Sequence, residues 1–189
     1  HSFYPPHMWR NDKREIINEK PVPGHWKKAV NAEFDFSQFY STNYAPDLIL
    51  DEALGFIRRN KEKPFFAYLP FVEPHLAMHP PHDWVDKYPK EWDQPKEKYK
   101  ANYLPHLRPR AGYAAMISDL DEHVGKVMDL LKELDLVEDT LVIFSSDNGA
   151  THCIEVDTKF FNSGANLRGL KGSVYEGGLR VPMIASWPG

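Results

Sequence analysis

The sequence predicts an α/β fold, a mainly parallel sheet flanked by helices, on three observations. Helical periodicity runs through 46–60 and again through 110–135. Continuous apolar runs of strand length lie at 65–71, 140–146 and 181–187. Helices and strands alternate along the chain, and parallel neighbours are the strands that need such long crossovers. The 189 residues are long enough for one domain with a core.

Residues 1–45 are rich in aromatics, Pro, Asn and His without a sustained period, so irregular structure is expected there. From Pro46, Leu50, Ala53, Leu54 and Ile57 recur at helical spacing, with Asp51, Glu52, Arg58 and Arg59 off that face. Lys61-Glu62-Lys63-Pro64 ends the helix, and Phe65 to Phe71 follows as a strand expected to be buried on both faces. Pro74, Pro80, Pro81, Pro89, Pro95 and Pro105 then predict a long surface excursion over 72–108. Tyr113, Met116, Ile117, Leu120, Val124, Val127, Leu131 and Leu134 mark one long amphipathic helix. Thr140 to Ser146 is the second buried strand and Val181 to Trp187 the third. The whole chain is expected to be part of a single domain, irregular over 1–45 and α/β over 46–189.

With 23 Lys and Arg against 27 Asp and Glu, the net charge is −4, which provides no electrostatic footprint for nucleic acid. No apolar run approaches the ~20 residues of a membrane helix. The single cysteine, Cys153, excludes an internal disulfide and a multi-cysteine zinc site. His1 follows neither an initiator Met nor a leader, and Trp187-Pro188-Gly189 is a turn directly after an apolar strand. Both ends therefore read as internal to a longer chain.

In an open parallel sheet, ligands bind where loops leave the carboxyl ends of the strands. Val72-Glu73-Pro74-His75 follows the first strand and Asp147-Asn148-Gly149 the second. Leu167 to Gly172 and Glu176-Gly177-Gly178 lie between the second and third. Asp147 and Asn148 offer hard oxygen donors suited to Ca²⁺ or Mg²⁺ rather than zinc. Taken alone, Asp-Asn-Gly is also an ordinary strand-closing turn. His75 could equally be a loop histidine satisfied by a hydrogen bond. Lys171 between two glycines is by default an exposed loop lysine, although the glycines permit close approach of an anion. Glu176 to Pro182 reads as a turn feeding a strand, and Cys153 as a small packing residue with no base beside it in sequence.

The ordered set changes these odds. Phe65-Phe66-Ala67-Tyr68 running to Pro74-His75, Gly112 to Gly125, Val142 to Gly149, Leu167 to Pro182 and Trp187-Pro188-Gly189 together resemble the arylsulfatase family of the alkaline-phosphatase-like superfamily. The segment His1 to Asn11 is similar to bacterial secreted sulfatases of sulfated glycans. The resemblance implies an alkaline-phosphatase-like fold and hydrolysis of sulfate esters of a sugar or aryl alcohol. It implies Asp147 and Asn148 as ligands of an active-site Ca²⁺, and His75 and Lys171 as residues that touch the sulfate. His75 would assist departure of the alcohol oxygen and Lys171 would neutralise sulfate charge. It further implies a periplasmic or extracellular location.

Departures from the family pattern carry equal weight. The family's formylglycine nucleophile arises in a C/S-x-P-x-R motif, whereas Cys153 opens Cys153-Ile154-Glu155-Val156-Asp157. The N-terminal aspartate pair that completes the calcium shell and the Gly-Lys-x-His segment are also missing. All are expected upstream of His1, and a smaller C-terminal subdomain beyond Gly189, so the chain alone is expected to be inactive. Two alternatives stay open: a phosphodiesterase or phosphonate hydrolase of the same superfamily, and a sulfatase homologue that binds sulfated glycan without cleaving it. His152, Arg168 and the loop 76–108 are candidates to shape the pocket.

Overall fold

A computed structural model of the chain describes residues 2–189. The chain divides into two compact units, His1–Val127 and Met128–Gly189. The first opens with an antiparallel hairpin, β1 (His7–Arg10) and β2 (Lys13–Ile16), where only irregular structure was expected. Asn11 turns it with φ 55°, a left-handed conformation that Asn tolerates better than most residues. Arg10 ties the hairpin down through ion pairs with Glu15 and Glu52.

The helix expected at 46–60 is α1 (Ala45–Asn60), with Pro46 in its first turn and Leu50, Ala53 and Ile57 buried. The excursion 72–108 differs from expectation. It holds the short helix α2 (His82–Asp86), and Leu76 to Pro80 and Leu104 to His106 are buried rather than spread over the surface. Proline excludes regular ladders but not burial, because Pro, Ala and Met carry few polar groups to satisfy. Trp26, Phe34, Phe36, Phe39 and Tyr99 form an edge-to-face cluster with centroids 5.3–6.4 Å apart.

The long helix is α3 (Pro109–Glu133), two residues short of the expected end. Its buried row runs Ala111, Ala115, Asp119, His123 at four-residue spacing, whereas Ile117 of the expected apolar stripe is 43% exposed. The run 65–71 is not a paired strand. Its exposure alternates with period two: Phe65 meets Phe56 of α1, Phe71 meets His123 of α3, and Phe66 and Tyr68 stand open at 85% and 76%. One face is therefore half-buried and the other open, where two buried faces were expected.

In the second unit, β3 (Val142–Ser145) and β4 (Met183–Ser186) pair antiparallel, with Val142 opposite Ser186. Both expected strands exist, but among the described residues every ladder is antiparallel. The only helix or strand in the connection from β3 to β4 is the four-residue helix α4 (Glu176–Leu179). Ile143 and Ile184 are 56% and 64% exposed, so the burial expected for these strands is not met among the described residues.

Candidate active site

In the second unit, three loops converge through backbone hydrogen bonds. The Gly149 amide donates to the Gly178 carbonyl at 3.0 Å, the Lys171 amide to Ala150 at 2.7 Å, and the Gly177 amide to Arg168 at 2.8 Å. The Asp147-Asn148-Gly149 turn, the Lys171 loop and the α4 start thus form one backbone lattice, although 29 residues separate Gly149 from Gly178. Glycine is required where these backbones touch. A Cβ on Gly149 would collide with the Gly177 carbonyl, and Gly169 holds φ +83°.

The side chains on this lattice are open to solvent. Asp147 is exposed and Asn148 half-buried, and the Ser146 hydroxyl donates to the Asn148 carbonyl at 3.0 Å. Half-buried Lys171 and exposed His152 line a shallow depression of about 530 Å³, with Leu167 and Gly169 to Ser173 around them. Arg168 lies apart from it, its guanidinium 3.7 Å above the Tyr175 ring and donating to the Tyr175 hydroxyl at 2.7 Å. Asp147 and Asn148 form a hard donor set, one carboxylate and one amide oxygen, which fits Ca²⁺. Cys153 is half-buried, and its amide donates to the Thr151 hydroxyl.

His75 belongs to the first unit. Its amide donates to the Val72 carbonyl at 2.9 Å, Nδ1 lies 2.7 Å from the Leu76 carbonyl, and the ring meets Tyr103 edge-on at 5.5 Å. A backbone carbonyl can only accept, so Nδ1 carries the proton in the contact with Leu76.

The same unit holds a buried charged cluster. His123 Nε2 lies 3.1 Å from Asp47 Oδ1 and 3.6 Å from Asp119 Oδ1, and its Nδ1 lies 3.8 Å from Glu73 Oε1. Burial pushes Glu73 up to about 7 and Asp119 up to about 6. Burial alone would lower His123, but the Asp47 hydrogen bond and the charges of Asp119 and Glu73 outweigh it and leave it raised. A signal for this cluster was present in the sequence, since Asp119 and His123 are four apart on one helix with Ala111 and Ala115 on the same row.

A second buried group surrounds His79 and His106. The Arg108 amide donates to His106 Nδ1 at 2.9 Å, His106 Nε2 meets the Tyr40 hydroxyl at 3.2 Å, and the two imidazoles lie 4.9 Å apart. Burial, with weaker contributions from neighbouring positive charge, pushes His106 down to about 4 and His79 well below its usual value.

Comparison with known proteins decides the family. The Sulfatase family profile matches residues 4–189. The chain belongs to the sulfatase family. It is 36% identical over 155 residues to a sulfatase of Formosa agariphila, covering 76% of this chain and 25% of that protein. It is 34% identical over 140 residues to human steryl-sulfatase, covering 72% and 20%. The crystal structure of Ps i-CgsB in complex with k-i-k-neocarrahexaose superposes with a TM-score of 0.59 at 32% identity, over 78% of this chain and 29% of that one. PsFucS1 sulfatase from Pseudoalteromonas sp. superposes with a TM-score of 0.56 at 28% identity, over 94% and 28%. These neighbours make the chain part of an alkaline-phosphatase-like α/β domain, and it spans a quarter or less of the two curated relatives. No helix among the described residues is long and apolar enough to cross a membrane.

Proposed function

We propose that the protein containing these residues hydrolyses sulfate esters, with a sulfated saccharide or an aryl sulfate as substrate. The observation that carries this reading is the backbone lattice joining the Asp147-Asn148 turn to the Lys171 loop in a sulfatase-family chain. It holds hard oxygen donors and a cation on neighbouring loops, the groups a sulfate monoester needs. Asp147 and Asn148 would hold Ca²⁺, which supplies positive charge to the sulfuryl oxygens when bound. Lys171 binds the same class of oxygen through its ammonium. His75 is the candidate proton donor to the departing alcohol oxygen, a role that requires Nε2 to carry a proton while Nδ1–H donates to the Leu76 carbonyl.

The residues present do not supply the family's formylglycine. Cys153 lies in Cys-Ile-Glu-Val-Asp rather than C/S-x-P-x-R, so the covalent step is assigned to no residue of this chain. The reading places the 189 residues in the middle of a catalytic domain whose nucleophile and remaining calcium ligands lie in other parts of the polypeptide. The substrate class points to a periplasmic or extracellular protein.

The test is sulfate release by the full-length, matured protein from p-nitrophenyl sulfate and from a panel of sulfated oligosaccharides, in calcium and after chelation. Calcium-dependent release is the expected result. Hydrolysis of a phosphodiester instead would move the protein to the phosphoesterase side of the superfamily. Tight oligosaccharide binding without any turnover would make it a glycan-binding homologue.

A further inference from the structure

We propose that Asp47, Asp119 and His123 form a binding site for a divalent transition cation of the zinc class, with Glu73 as the carboxylate that orients the histidine. The site lies wholly in the first unit and is independent of the Asp147 and Asn148 pair. One ligand atom from each of the three residues lies within 4.8 Å of the others. The distances from His123 Nε2 to Asp47 and Asp119, 3.1 and 3.6 Å, bracket the edge of roughly 3.3 Å between donors placed tetrahedrally about zinc.

A second, separate observation is the set of polar atoms left without a hydrogen-bond partner around this point. Both oxygens of Glu73, Oδ2 of Asp119, Nδ1 of His123 and the Tyr44 hydroxyl are shielded from solvent and make no hydrogen bond. Glu73, Asp119 and His123 are only 5%, 2% and 1% exposed. Buried polar atoms are nearly always satisfied, so the unpartnered Asp119 oxygen, on the carboxylate that faces His123 Nε2, marks the place of an ion or of ordered water.

An ion pair alone does not account for the arrangement. Three carboxylates face one imidazole, and the nearest lysine on α3, Lys126, is held 2.7 Å from Glu122. Neutral His123 with its Nε2 lone pair on a cation accounts for the excess of carboxylates, since Asp47 and Asp119 balance a charge of +2. Glu73, 3.8 Å from Nδ1, lies on the side of the ring where an outer carboxylate faces a metal-bound histidine. Imidazole nitrogen among the ligands favours zinc over calcium or magnesium. The Asp47 side chain is 55% exposed, which gives the ion an entry path and leaves room for water to complete its shell.

The experiment uses the full-length protein, stripped with chelator and returned to saturating calcium. Zn²⁺ is then titrated by calorimetry, and Co²⁺ is read by its visible d–d absorption. We expect one Zn²⁺ per chain that excess calcium does not displace, with affinity reduced roughly 100-fold or more in H123Q and D119N. E73Q is expected to lose about 10- to 100-fold. D47N changes an exposed side chain, so the site can be tested there without disturbing the core, and the same loss of affinity is expected. Absence of zinc uptake, displacement by calcium, or zinc affinity unchanged in D47N and H123Q would each overturn the assignment.

Discussion

The two units handle charge in different ways. Around the Asp147 turn and Lys171, polar groups sit on loops held by backbone hydrogen bonds, and their side chains are exposed or half-buried. Around His123 and His106, the ionisable groups lie under α1 and α3 and their surroundings, out of water, with pKa values moved by burial. The first arrangement keeps charge available for a molecule that arrives from solution. In the second, charge is set by neighbouring residues, so its protonation is coupled to folding. Substitutions of the charged side chains in the loop region should therefore alter turnover and leave stability alone, and those in the buried region should do the reverse.

The largest expected effect is on turnover. K171A should lower kcat/KM of the full-length protein for an aryl sulfate by roughly 10²–10³-fold, the range for removing a preorganised group that stabilises charge. Its melting temperature should match the wild type. A large melting shift in K171A would break the comparison, because Lys171 would then be holding the fold. G149A tests the boundary from the other side. Its Cβ would run into the Gly177 carbonyl, so the loop lattice must shift. Destabilisation of about 2 kcal/mol, seen by denaturant unfolding, should accompany loss of calcium affinity.

In the buried region the readout is pH. Glu73 is raised from 4.5 to about 7 and Asp119 from 3.8 to about 6, so across those intervals the folded protein binds more protons than the unfolded chain. Stability therefore falls as pH rises through them, and raised His123 acts in the same direction, its contribution being lost as pH climbs through its folded pKa. In chelator, E73Q should match the wild type at pH 5 and exceed it by up to roughly 3 kcal/mol at pH 8, measured by calorimetry. An E73Q advantage that is the same at both pH values would remove Glu73 from this account.

The histidine pair acts with opposite sign. His106 is lowered from 6.5 to about 4, so its neutral form adds stability that appears as pH rises from 4 to 6.5 and is lost on acidification. H106Q should flatten the acid limb of the melting curve and leave the limb above pH 6.5 unchanged. The two clusters oppose one another below 6.5, and above it Glu73 and His123 remain in play.

The helices were legible because their periodicity is local: Leu50, Ala53 and Ile57 define the buried face of α1 whatever packs on it. The turn after β3 and the glycines beside Lys171 were legible as backbone chemistry. The buried charged cluster was not, although Asp119 and His123 stand four apart on α3. Its other members, Asp47 and Glu73, come from α1 and from the loop before Pro74, and separation along the chain says nothing of their meeting.

By itself the sequence determined the α/β class, the positions of α1, α3, β3 and β4, and a motif order similar to the sulfatases. Those properties depend on side-chain spacing and turn residues within a few positions of one another. Tertiary structure alone decided that β3 and β4 pair antiparallel, that Phe65 to Phe71 half-buries one face, and that Leu76 to Pro80 enters the core. It also decided that His123 collects three carboxylates. Pairing direction, burial and pKa depend on which distant segments exclude water from a group, and that is set only when the chain closes on itself.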